Sequence, residues 1–150
     1  MARVTWTVRF ATLDDLDAIL ALDRLSPVGH TREPLLTARA QAREILIAVL
    51  NERVVGYLVL HARAFFGRDF VDLLVVDPRY RRQGIGDELL RQAVKDSSTN
   101  RIFTSTNESN TPMVKLLERG GWEFSGRLEG IDEGDPEIVF FTDAERMTSS

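Results

Sequence analysis

The sequence predicts a mixed α/β domain, and three observations carry that prediction. Residues 70–94 read, without interruption, as an apolar strand, a Pro-bearing turn, a basic glycine-spaced loop and an amphipathic helix. Residues 45–62 read as two apolar runs joined by a short polar turn, which is a β-hairpin. Helical patterns stand before and after these segments, so strands and helices share one chain and one core.

Trp6 to Phe10 reads as the first strand. Thr12 is placed to cap a helix, with Asp15 three residues on. Asp14, Asp15 and Asp17 suit the positive end of the helix dipole, and Leu16, Ile19 and Leu20 supply the buried stripe. Ser26-Pro27-Val28-Gly29-His30 breaks that helix, and a shorter one is expected from near Thr31 to about Gln41. Ile45–Leu50 and Val54–Ala62 form the hairpin, turning at Asn51-Glu52-Arg53. Gly56, inside a strand, marks a bulge or a close approach of backbone. Phe65-Phe66-Gly67-Arg68 is a second turn, leading into the central strand Phe70–Val76. Arg101–Thr106 is the next strand. Asn110 or Ser109 caps a further helix, with Pro112 in its first turn and Met113, Leu116 and Leu117 on its buried face; Gly120-Gly121 ends it. A strand and turn over 123–130, an acidic loop and a final strand over 136–142 follow, with a polar tail after 143.

Composition sets limits. A chain of 150 residues is expected to be one domain, with its core over about 4–142. Its hydrophobic content of 43% and charged content of 28% are those of a soluble globular protein. A net charge of −4 argues against general nucleic-acid affinity. No apolar run approaches the ~20 residues of a membrane span, and the N-terminus lacks a signal-peptide core. With no cysteine, disulfides, thiolate metal sites and a Cys nucleophile are excluded, and a cytoplasmic location is expected. Two histidines are too few to anticipate a dedicated metal site.

The chemistry concentrates in Arg81-Arg82-Gln83-Gly84-Ile85-Gly86. A helix start leaves backbone N–H groups without partners and carries partial positive charge. Gly84 and Gly86 have no Cβ, so a ligand approaches the main chain closely, and Arg81 and Arg82 add full positive charge. The assembly suits a phosphate or pyrophosphate. A Walker-type loop requires Gly-Lys-Ser/Thr where this loop has Gly86-Asp87-Glu88, and a dinucleotide fingerprint requires a third glycine where Leu89 stands. The pattern that fits is Arg/Gln-x-x-Gly-x-Gly/Ala. With the preceding strand, the Asp77-Pro78 turn and the helix that buries Ile85, Leu89, Leu90, Ala93 and Val94, it resembles the acyl-coenzyme A loop of the GCN5-related N-acetyltransferase (GNAT) family. The second half resembles that family too, with an asparagine before a helix that ends in Gly-Trp, here Asn110 to Trp122.

The resemblance implies a single domain with a twisted, mainly antiparallel sheet of six or seven strands and about four helices. It implies acetyl-CoA as cosubstrate and no metal. The amides of Arg81, Arg82, Gln83, Gly84, Ile85 and Gly86 would hold the pyrophosphate. Leu74, Val75 and Val76 would hold the pantetheine arm where the strand splays from its neighbour. Asn110 would contact the pantetheine or cap its helix, and His30, between the first two helices, would contact the acceptor. The expected reaction is direct transfer of acetyl to a primary amine on a small molecule or peptide, without nucleic acid or membrane; a homodimer is left open.

One departure stands out. The family's thiol acid is a tyrosine seven residues after the motif asparagine, and Leu117 occupies that position. The only tyrosines, Tyr57 and Tyr80, do not align with it. This keeps open a catalytically silent acyl-CoA-binding module, beside a peptide N-terminal acetyltransferase. For the general base, Asp72 on the central strand comes first, then Asp69, with His61 behind both. Asp132, Glu133, Asp135 and Glu137 border the acceptor pocket by resemblance and could attract a cationic amine, although a solvated loop is the first reading of them.

Overall fold

Alternating apolar residues become a mixed sheet in the computed structural model of the chain, which describes residues 6–26 and 31–145. The strands are β1 (Thr7–Phe10), β2 (Ile45–Leu50), β3 (Arg53–Phe65), β4 (Arg68–Val76), β5 (Arg101–Asn107), β6 (Glu123–Leu128) and β7 (Glu137–Asp143). The helices are α1 (Leu16–Asp23), α2 (Glu33–Gln41), α3 (Ile85–Asp96) and α4 (Thr111–Arg119). The sheet order is β1-β2-β3-β4-β5-β7-β6. The β1–β2, β2–β3, β5–β7 and β6–β7 pairs are antiparallel, and β4–β5 is parallel. The fold divides into two compact units: Met1–Leu60 with Leu73–Ala93, and His61–Asp72 with Val94–Ser150.

In the first unit, alternate residues of β2 and of the middle of β3 face α1 and α2. Ile45, Ile47, Tyr57 and Val59 pack there with Ile19, Leu22, Leu36 and Ala40, all buried. Tyr57 is wholly buried, and its hydroxyl donates to Asp23 Oδ1 at 2.6 Å. Arg32 donates to the same oxygen from Nε at 3.0 Å and Nη2 at 2.6 Å. Three chain segments are thereby tied at one carboxylate: the end of α1, the approach to α2 and the middle of β3. Burial, and then the hydrogen bond to Asp23, push the Tyr57 hydroxyl far above its ordinary pKa. Tyr57→Phe leaves the buried carboxylate short of one donor, so it is expected to destabilise the fold by about 1–3 kcal/mol, measured by urea unfolding.

The opposite face of β3 meets α3. A Cβ built on Gly56 would lie 3.0 Å from Ile85 Cγ2, 3.2 Å from Leu89 Cδ1 and 3.3 Å from the Val75 carbonyl oxygen. Close approach is therefore the reason for this glycine, and a register shift sits beside it between Ala48 and Val49 on β2. Gly56→Ala is expected to cost about 1–3 kcal/mol through overpacking, again read by urea unfolding. The predicted face of α3 is realised: Ile85, Leu89, Leu90, Ala93 and Val94 are each buried.

Some boundaries differ from expectation. The first helix is preceded by a 3-10 turn over Leu13–Asp15, because Asp15 turns back onto the Thr12 amide at 2.8 Å and is gripped by Arg9 Nη1 and Nη2 at 2.9 and 3.0 Å. Arg9 holds the Asp15 carboxyl down to about 2. β3 runs on to Phe65, because only Phe66 and Gly67, with φ of 51° and 81°, are needed to turn the chain. α2 begins at Glu33, two residues later than expected. His30, expected to contact the acceptor, lies outside the described residues.

In the second unit, Arg101, Phe103, Ser105 and Asn107 are half-buried, while Ile102, Thr104 and Thr106 between them are buried. One face of this part of the sheet is thus packed and the other is open. Asn110 begins α4, its Oδ1 accepting from the Met113 amide at 3.3 Å, and Gly121, at φ 82°, ends the helical path.

Candidate functional site

The turn at the end of β4 is built around a buried carboxylate. The Asp77 amide donates to the Val55 carbonyl at 2.8 Å, which anchors it to β3. Its carboxylate accepts from the Arg79 amide at 2.9 Å, Nε at 3.2 Å and Nη2 at 2.8 Å. The Arg79 hydrogen bond outweighs burial and holds the Asp77 pKa below its ordinary value. Pro78–Tyr80 is a 3-10 turn, for which Pro78 is already set in φ. Sequence reasoning missed Asp77 and Arg79 as a pair; an Asp-Pro-Arg turn is the signal that could have found it.

The loop that follows takes two left-handed steps, at Arg82 (φ 64°) and Gly84 (φ 87°). These swing the chain into α3, whose first helical bond runs from the Glu88 amide to the Gly84 carbonyl at 3.0 Å. Ile85 and Gly86 precede that bond, in the turn where helix amides lie outside their own ladder. Arg81, Arg82 and Gln83 are exposed. A Cβ on Gly84 would meet only the Trp6 ring, at 3.9 Å. Trp6 beside the loop was not foreseen, since no local pattern joins residues so far apart. Two positive-φ positions, a helix start, a glycine open to approach and two exposed guanidinium groups fit a diphosphate.

Upstream, the parallel ladder joins Asp69, Phe70 and Val71 to Ile102, Phe103 and Thr104. β4 continues past it through Leu74, Val75 and Val76, all partly exposed.

Asp69 and Asp72, the two carboxylates considered as bases, have different surroundings. Asp69 is buried and accepts from the Arg63 amide, the Ser97 hydroxyl and the Ser98 amide at 2.8–2.9 Å. Burial opposes its charge, but these donors prevail and its pKa lies below the ordinary value. It is a brace between Arg63, which holds a left-handed φ of 54° in β3, and the turn before β5, a structural duty that Asp72 does not share. Asp72 is one-third exposed, and its Oδ2 lies 3.9 Å from His61 Nδ1 across the hairpin. The structure therefore brings together the first-ranked and last-ranked base candidates.

Leu117, where a thiol acid would stand, is wholly buried. Tyr57 is committed to Asp23. In the acidic loop, Asp132 accepts from Asn107 Nδ2 at 2.8 Å, Asp135 from the Ser109 hydroxyl at 2.5 Å, and Glu137 from the Ser105 hydroxyl at 2.7 Å. Those three carboxylates pin the loop onto β5 and the start of α4. Among the described residues there is no His, Asp or Glu group able to hold a metal ion, and no helix is long and apolar enough to cross a membrane.

Among the described residues, a strand, a loop with two left-handed steps and a helix start stand in a seven-stranded mixed sheet with four helices, an acyltransferase-like architecture. The chain belongs to the acetyltransferase (GNAT) family, whose model matches residues 13–122. It is 33% identical over 141 residues to the peptidyl-lysine N-acetyltransferase YjaB of Salmonella typhimurium, covering 86% of this chain and 91% of that protein. It is 30% identical over 89 residues to N-alpha-acetyltransferase 30 of Xenopus laevis; there it covers 55% of this chain and spans only 32% of the relative. A crystal structure of a GNAT-family acetyltransferase from Bacillus cereus superimposes with a TM-score of 0.87 at 35% identity, covering 93% of this chain and 97% of that one.

Proposed function

We propose that the protein is an acetyl-CoA-dependent N-acetyltransferase acting on a primary amine by direct attack, as a single cytoplasmic domain. The loop at Arg81–Gly86 carries this reading, since its two left-handed residues deliver the start of α3 as an anion site. Its amides and the Arg81 and Arg82 guanidinium groups hold the diphosphate. Leu74–Val76, on the stretch of β4 beyond the parallel ladder, offer backbone groups to the pantetheine arm. When bound, the thioester supplies an activated acetyl carbon and a thiol leaving group. Asp72 takes the proton from the acceptor ammonium, and His61, 3.9 Å away, steadies the charge. The new N–C bond replaces the C–S bond, the second proton of the attacking nitrogen passes to water, and the departing thiolate takes a proton back from water, since no tyrosine occupies the acid position. With a thiol pKa near ~8.5, that step needs little help. Asn110 is spent on capping α4, which supports its structural over its pantetheine role. The cysteine-free sequence supports the cytoplasmic assignment.

The test is thiol release from acetyl-CoA across a panel of free amines, lysine peptides and peptides with free N-termini. Turnover with any of them supports the transferase. Tight acetyl-CoA binding with no release above the hydrolytic background on the whole panel leaves the silent binding module instead.

A further inference from the structure

The less buried face of the second unit carries a row of aromatic rings, and the Arg101 guanidinium lies over the last of them, Phe141, at 4.5 Å. Phe65 stacks on Phe70 with centroids 5.1 Å apart, meets Phe103 at 5.0 Å, and Phe103 meets Phe141 at 5.7 Å. All four are half-buried. Phe66, at the hairpin tip, is 94% exposed and packs edge-on against Phe65. It also holds a left-handed φ of 51°, a position where Asn or Gly is far easier to accommodate than an aromatic residue. Exposure and backbone strain at one residue, at the end of a continuous aromatic row, mark a surface that receives something.

The same face leads to the candidate base. Phe70 and Asp72 are two residues apart on β4 and point the same way. His61 lies across from Asp72 on β3, and Ser105 follows Phe103 on β5. At ~3.3 Å per residue, four residues separate Asp72 from the hairpin end by about 13 Å. A small free amine seated at Asp72 does not reach that far, whereas an extended polypeptide does. Its side chains, alternating with the period of the strands beneath, would fall on successive rows. The cationic amine complements the Asp72 carboxylate, and the aromatic row complements apolar side chains beside it.

Building on the transferase reading, we propose that the acceptor is a polypeptide that lies extended on this face. Its reactive amine sits at Asp72 and His61. An aromatic or large apolar side chain about two residues from the amine covers Phe70 and Phe103, and another about four residues away packs against Phe66.

The experiment compares two N-terminally blocked peptides of equal length and charge, each with one lysine. One carries Phe at the second and fourth positions from that lysine, and the other carries Ser. Parent and Phe66→Asn proteins are assayed by thiol release, with butylamine as a third acceptor. Asn tolerates the left-handed backbone, so the variant keeps its fold. The parent is expected to favour the Phe peptide in kcat/KM by about tenfold or more, the scale of one or two aromatic contacts. Phe66→Asn should lose a large part of that preference while acetylating butylamine and the Ser peptide as the parent does. Equal kcat/KM for both peptides, or a preference that survives Phe66→Asn intact, overturns the proposal and leaves the transferase reading standing. So does sedimentation showing that Phe66→Asn converts a dimer to a monomer without changing the preference, since a second copy then owns the face. No thiol release with any acceptor overturns the transferase reading and this one with it.

Discussion

Asp72→Asn is expected to lower kcat by about 10²–10⁴-fold, the usual contribution of a positioned base, while leaving the KM for acetyl-CoA within about twofold. The substitution keeps the shape of the side chain and removes only its ability to take a proton. Asp72 is one-third exposed and carries no structural duty comparable to that of Asp69, which is closed in by the Arg63, Ser97 and Ser98 donors. Stability should therefore change by less than about 1 kcal/mol, the scale of an exposed ion pair. His61→Gln should lower kcat less, by about tenfold, because it only steadies its neighbour. A kcat for Asp72→Asn within threefold of the parent would mean that solvent removes the amine proton.

Gly84→Val is expected to weaken acetyl-CoA binding by about 10²–10³-fold, the loss of roughly two charge-assisted amide bonds at 1.5–3 kcal/mol each. At φ 87° a β-branched residue is strained, so the loop must abandon the left-handed step that aims its amides. The surrounding protein does not resist the new atoms: the nearest, in Trp6, would lie 3.9 Å from the Cβ. The variant should stay folded, with a stability loss of about 1–2 kcal/mol that urea unfolding measures. Binding and folding thus separate at this residue, which they do not at Gly56, where the Cβ meets Ile85 at 3.0 Å.

What the sequence discloses and what it conceals follow from the range of the forces involved. The hairpin, the 70–94 segment and the cap at Asn110 are set by neighbours a few residues apart: β-branched runs, a proline, two glycines, an amide oxygen reaching the Met113 amide. The apolar spacing of α3 likewise exposes its buried side directly. The bracing role of Asp69 is not legible in the sequence, because its donors come from Arg63 and from Ser97 and Ser98, which only the folded sheet assembles. The Tyr57–Asp23–Arg32 cluster and the ring of Trp6 beside Gly84 were invisible for the same reason. Leu13–Asp15 departed from a regular helix because Arg9, on β1, pulls Asp15 aside. The open aromatic face was hidden in another way. Alternation at Arg101, Phe103 and Ser105 shows that one side of a strand is less buried, but not that four neighbouring strands bring their half-buried rings into one row.

The most direct measurement is a pair of calorimetric titrations, acetyl-CoA against acetylpantetheine, which shares the thioester arm and lacks the diphosphate, on the parent and on Gly84→Val. The parent should bind acetyl-CoA at least about 100-fold more tightly, and Gly84→Val should bring the two ligands close together. Equal affinity of the parent for both, or an undiminished gap in the variant, would contradict a diphosphate held by the main chain before α3.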